Sequence, residues 1–126
     1  MIIIAIFSLT HIIQVQQIHG DWRTAGMMSR RFFISIDELY TNDWSKEVVN
    51  FHFVNVPIRS GEAWVFPVGL SDALWFAFKN DDLGVYVEPD LKTALSNAGD
   101  SIQDRVFQFQ DNGSLKEVIR SKDSSH

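Results

Sequence analysis

Two adjacent carboxylates, Asp81 and Asp82, interrupt an aromatic run that begins at Trp75 and resumes as Val85-Tyr86-Val87-Glu88. Paired carboxylates share a proton or hold a cation, because like charges at close range raise one pKa. Neighbours on a strand, however, point to opposite faces. A calcium loop needs oxygen ligands at alternating positions, closing on a long Glu, and here the alternation stops after Asp82. Asn80, Asp81, Asp82 and Gly84 are also the residue types that turns select. The expectation is a solvated turn, and an acidic tip beside aromatic rings suits protein docking. The residues expected to meet a partner are Trp75, Asp81, Asp82, Tyr86, Glu88 and Asp90.

Other chemistries find less support. Gly69-Leu70-Ser71-Asp72-Ala73 has the outline of a nucleophile elbow, with Ala in place of the last glycine. That chemistry needs a histidine base later in the chain, and the only later one is His126, so Ser71 reads as a capping or turn serine. His52 stands between Phe51 and Phe53; on a strand it faces away from both, alongside Val54 and Val56. It reads as a hydrogen-bonded wall of a core, with acid–base catalysis beside a carboxylate as the alternative. The histidines have no zinc-ligand spacing. The seven glycines are all isolated, so no phosphate-cradling loop is present. No metal and no cofactor is expected.

The chain has 126 residues, no cysteine and a net charge of −5. That length fits one core, and ten Phe and four Trp supply it, since each buried ring removes about 150–250 Å² from water. Residues 72–111 hold eight acids against three bases, which accounts for the whole charge excess. An acidic field repels phosphate backbones and attracts a basic protein surface. Arg23, Arg30 and Arg31 near Phe32 and Phe33 form the one basic–aromatic cluster, which is weak support for nucleic acid against that field.

These residues need elements to position them. Residues 1–27 open on an Ile-rich run and allow a strand, a dispensable extension, or a signal or membrane anchor. Ile13-Gln14-Val15-Gln16 alternates with the period of a strand, while Thr24-Ala25-Gly26 has the small residues of a signal cleavage site. Residues 28–120 read as a single α+β domain: a small antiparallel β-meander packed against one or two helices. Ser35-Ile36-Asp37-Glu38 has capping-box spacing, and Ile36, Tyr40, Trp44 and Val48 would follow on one helix face. Strands are expected at residues 32–36, 51–58, 63–68 and 73–78, the last with a short helix as its alternative, and at 85–87 and 105–110, with 115–119 either a returning strand or a terminal turn of helix. Asp90 caps a helix whose stripe is Leu91, Ala94, Leu95 and Ala98, and Gly99 ends it. Asp111-Asn112-Gly113 is a hairpin turn. Residues 121–126 should fray.

With no catalytic constellation, the leading expectation is a small, acidic, non-enzymatic module that docks onto a basic protein partner, in the manner of a stoichiometric inhibitor or immunity-type protein. Such a module would be cytoplasmic. The alternatives are a small enzyme using His52 with carboxylates in a sheet-lined pocket, and a secreted or membrane-tethered domain addressed by residues 1–26.

Overall fold

The computed structural model of the chain describes residues 2–40, 44, 48–99 and 103–118. It is an α+β fold. A long helix, α1 (Ile2–Leu39), precedes strand β1 (Val49–Val54), the two-residue strands β2 (Arg59–Ser60) and β3 (Ala63–Trp64), and helix α2 (Leu70–Phe78). Strand β4 (Leu83–Glu88), helix α3 (Leu91–Asn97) and strands β5 (Asp104–Phe109) and β6 (Leu115–Glu117) complete it. The main sheet has the order β4-β1-β5-β6, and β2 and β3 form a separate antiparallel hairpin.

The sheet is mixed, which corrects the expected antiparallel meander. β1 runs parallel to β4 on one side and to β5 on the other; only β5 and β6 are antiparallel. The physical reason is α2. Parallel neighbours need a crossover, and the segment Ala73–Phe78, which a strand reading would place in the sheet, supplies it as a helix. A short apolar run has no periodicity that separates strand from buried helix. β1 is thus the central strand, nearly continuously buried as a strand covered on both faces should be. Pro57 lies beyond its end, where the missing N–H costs the ladder nothing.

The two faces of β1 build two cores. Phe51 and Phe53 join Phe107, Phe109, Leu74, Phe32 and Ile36 under α1 and α2. The Phe53 and Phe107 rings stack at 5.5 Å, and Phe32 stacks on Phe109 at 5.5 Å. Val54 and Val106 pack on the other face against Ala94 and Ala98. α3 forms as the sequence expects: the Asp90 carboxylate accepts from the Thr93 N–H at 2.8 Å, and Gly99 has φ of +59°. The hairpin turn is also where expected, with Gly113 at φ +88° and Gln110 N–H donating to Ser114 O at 2.9 Å.

Residues 2–39 form one unbroken helix, which corrects the strand expected within residues 1–27, the strand expected at residues 32–36 and the helix expected to start near Ser35. The β-branched Ile and Val lower helix propensity only slightly, and four alternating residues are too few to impose a strand. Ser35 and Ile36 are buried on the last turns of α1 instead of capping a new helix. Residues 41–43 and 45–47, through which the expected helix would run, lie outside the described residues, as do residues 121–126.

α1 has two unlike halves. From Ala25 onward it presents Ala25, Phe32 and Ile36 to the fold. Two glycine turns hold it there. Gly61, at φ +56°, leaves room for Asp21 where a Cβ would collide, and a Cβ on Gly113 would come within 2.6 Å of Met28 Cα. Arg31 adds a 3.1 Å hydrogen bond to the Asn112 carbonyl. By contrast, every residue from Ile2 to Gly20 is exposed.

Candidate functional site

The exposed half of α1 is the most unusual surface of the molecule. Ile2, Ile3, Ile4, Ile6, Phe7 and Leu9 all project into solvent, Ile3 with 82% of its surface free. Apolar residues fall on all sides of this half, with no continuous polar face. A helix apolar all round belongs in a protein core or a bilayer, whereas one lying in the membrane plane has a charged face. No residue from Ile2 to Gly20 is Lys, Arg, Asp or Glu. By length and composition the helix could cross a membrane, and none of its most apolar stretch is buried in the fold. Trp22 and Arg23 follow directly.

The β2–β3 hairpin sits where this half ends. The Glu62 N–H donates to the Asp21 carboxylate at 3.1 Å, and Ala63 and Val65 pack on Ala25. On the hairpin's outer side the Arg59 guanidinium lies 4.2 Å from the Trp64 ring centroid, a cation–π stack.

The residues expected to meet a partner divide into separate groups. At the start of β4, Trp75 Nε1 donates to Asp81 Oδ1 at 2.6 Å, and Lys79 Nζ sits 4.6 Å from the Trp75 ring and 4.0 Å from Phe76. Asp81 and Asp82 are exposed, as a solvated turn requires. Asn80 fixes that turn, donating to Trp44 O at 2.7 Å and accepting from the Asp82 N–H at 2.9 Å.

At the other end of β4, Glu88 turns inward. Its Oε1 lies 3.0 Å from His52 Nδ1, and both side chains are largely buried, at 6% and 10% exposure. Asn97 donates to both Glu88 oxygens at 3.1 Å, and Tyr86 stacks on the His52 ring at 4.9 Å. Hydrogen bonding to His52 first, then to Asn97, holds the Glu88 carboxyl below its ordinary range. Asp90 is lowered chiefly by its hydrogen bonds to Thr93, so its role is the cap of α3. Five residues of strand, about 17 Å, separate the two ends of β4.

His52 does face away from Phe51 and Phe53, as alternation requires, and it shares that side with Val54. The sequence carries no sign that Glu88, 36 residues later, is its partner, or that Asn97 completes the group. The His52–Glu88 pair has the parts of an acid–base dyad, but each group spends its contacts on the other and on Asn97 and Tyr86. Two surface grooves lie elsewhere. The larger, ≈ 480 Å³, runs between α1 and α2 past Phe33, Phe66, Val68, Trp75 and Phe76, and neither groove is lined by His52 or Glu88. Among the described residues no group of three or more His, Cys, Asp or Glu is placed to hold a metal ion.

The chain matches no protein-family model, no curated protein and no solved structure.

Proposed function

We propose that this is a membrane-tethered, non-enzymatic docking module: the first half of α1 crosses a bilayer, and the α+β domain is held at the membrane surface to bind a protein partner. The observation that carries the tether is the contrast along α1, fully exposed and apolar to Gly20, then packed into the core from Ala25. A core helix would bury its apolar window, and here none of it is buried. A signal cut after Thr24-Ala25-Gly26 would remove Ala25 from its contact with Ala63 and Val65, so an uncleaved anchor suits the packing better.

The span has suitable dimensions. From Ile2 to Asp21 the helix rises about 28 Å, against about 30 Å for a hydrocarbon core. Trp22 and Arg23 then stand where interfacial residues belong, and Arg23, Arg30 and Arg31 put positive charge on the domain side, which favours a cytoplasmic domain. The span from Ile2 to Gly20 holds no Asp, Glu, Lys or Arg, so it avoids the about 2.5–3.5 kcal/mol penalty of a central Asp, Lys or Arg.

The docking role is supported by the exposed α2–β4 turn, where Asp81 accepts from Trp75, the equally exposed Asp82 follows it, and Lys79 lies over the Trp75 and Phe76 rings. Acids around rigid aromatic rings suit a basic partner surface, and an inhibitor or immunity-type protein fits that description. Glu88 and Asp90 take no part, being engaged within the fold.

The tether is tested by fractionation. The full chain should sediment with membranes and resist alkaline extraction, and the double variant Ile6→Lys, Ile13→Lys should be released. Recovery of the unaltered chain as a detergent-free soluble monomer would refute the tether.

A further inference from the structure

We infer that the β2–β3 hairpin is a second membrane contact, seated in the lipid headgroup layer beside the point where α1 leaves the hydrocarbon. This rests on the tether reading and adds to it: the domain would be held at two points rather than swinging on one helix.

Height comes first. The Glu62 N–H bonds to Asp21 at 3.1 Å, and Gly61 lies so close to that carboxylate that a Cβ would collide with it. The hairpin tip is therefore level with Asp21, the residue that ends the uncharged segment. A structure fixed at that level cannot avoid the headgroups if the segment spans the bilayer.

Chemistry points the same way. Trp22 and Trp64 are 53% and 45% exposed, and Ile58, at the hairpin's base, is 65% exposed. Exposed tryptophans are costly to leave in water but favoured at the membrane interface, where the ring is shielded and the indole N–H stays hydrated. Arg59, stacked on Trp64, forms no ion pair among the described residues. A cation–π contact uses none of the guanidinium's hydrogen-bond capacity toward oxygen acceptors, so its N–H donors can serve phosphate oxygens. Arg23, beside Trp22, supplies a second cation at the same level.

The test exploits the absence of cysteine. The full chain is placed in nanodiscs of phosphatidylcholine and phosphatidylglycerol, carrying a fluorophore at one of three positions: Ile13→Cys within the span, Ile58→Cys on the hairpin, or Glu38→Cys. Glu38 lies about 25 Å farther along α1 than Asp21. Lipids spin-labelled near the headgroup should quench the Ile58→Cys label roughly twofold or more above the Glu38→Cys label, as expected of an interfacial site. Lipids labelled deep in the acyl chain should quench the Ile13→Cys label. If the Ile13→Cys label is quenched but the Ile58→Cys label matches Glu38→Cys, the hairpin faces water or a protein, and the inference is wrong while the tether survives. If the Ile13→Cys label is not quenched, both fall.

Discussion

Asp21 and Glu62 are joined across 41 residues of sequence by one 3.1 Å hydrogen bond, from the Glu62 backbone N–H to the Asp21 carboxylate. The bond lies at the boundary between the free and the packed halves of α1. It fixes where the folded domain begins, and so how far the apolar segment projects from it.

Gly61 makes that contact possible. Its φ of +56° and its proximity to Asp21 predict that Gly61→Ala destabilises the fold by at least about 1–2 kcal/mol, the left-handed penalty alone. Gly26 is helical with nothing within 4 Å of a Cβ, so Gly26→Ala should stabilise by about 0.5–1 kcal/mol. Thermal denaturation of the two variants in detergent checks both signs.

The same boundary predicts where the chain can be cut. A chain starting at Asp21 keeps the Glu62 bond and the burial of Ala25, and should fold and stay soluble without detergent. One starting at Met28 loses both and exposes Ala63 and Val65, at a cost of roughly 1–3 kcal/mol. Urea unfolding of the two fragments compares them directly.

Local signals explain what the sequence revealed. α3 with its Asp90 cap, the Asn112-Gly113 turn and the placing of His52 on the face of β1 opposite Phe51 and Phe53 all follow from residues within a few positions of one another. Sheet pairing did not, because the parallel partners of β1 depend on α2, and Ala73–Phe78 is apolar enough to pass for a strand. α1 was obscured by its isoleucines, which favour a strand in isolation. The His52–Glu88–Asn97 group joins three elements and has no short-range trace, so Glu88 looked like one more surface acid.

That difference between acids is itself testable. Asp82→Lys should leave stability within about 0.5 kcal/mol, as expected of an exposed side chain. Glu88→Lys removes the acceptor of His52 and Asn97 and puts an ammonium in its largely buried place, and should cost about 3–5 kcal/mol, the range for breaking a buried pair. On the docking reading, Asp82→Lys with Asp81→Lys should also slow association with a basic partner and flatten its salt dependence. Unchanged association rates would remove this turn from the interface.

Acid titration should isolate Glu88. Its folded pKa is depressed by His52 and Asn97, so the unfolded state takes up the proton first as pH falls. The pair's contribution is fully present above the ordinary carboxylate range and is lost as pH drops through the folded value. Glu88→Gln should therefore lower stability at pH 7 by about 1–3 kcal/mol and weaken the fall toward acid pH. An unaltered acid limb would mean that another carboxylate governs it.

The tether is tested most directly by labelling single cysteines in native membrane vesicles. A membrane-impermeant maleimide should react readily with Glu38→Cys when the domain side is accessible, yet leave Ile6→Cys and Ile13→Cys unmodified until the protein is denatured in detergent. Labelling of Ile6→Cys and Ile13→Cys as fast as Glu38→Cys in intact vesicles would show that the exposed half of α1 lies in water, and the membrane account would be wrong.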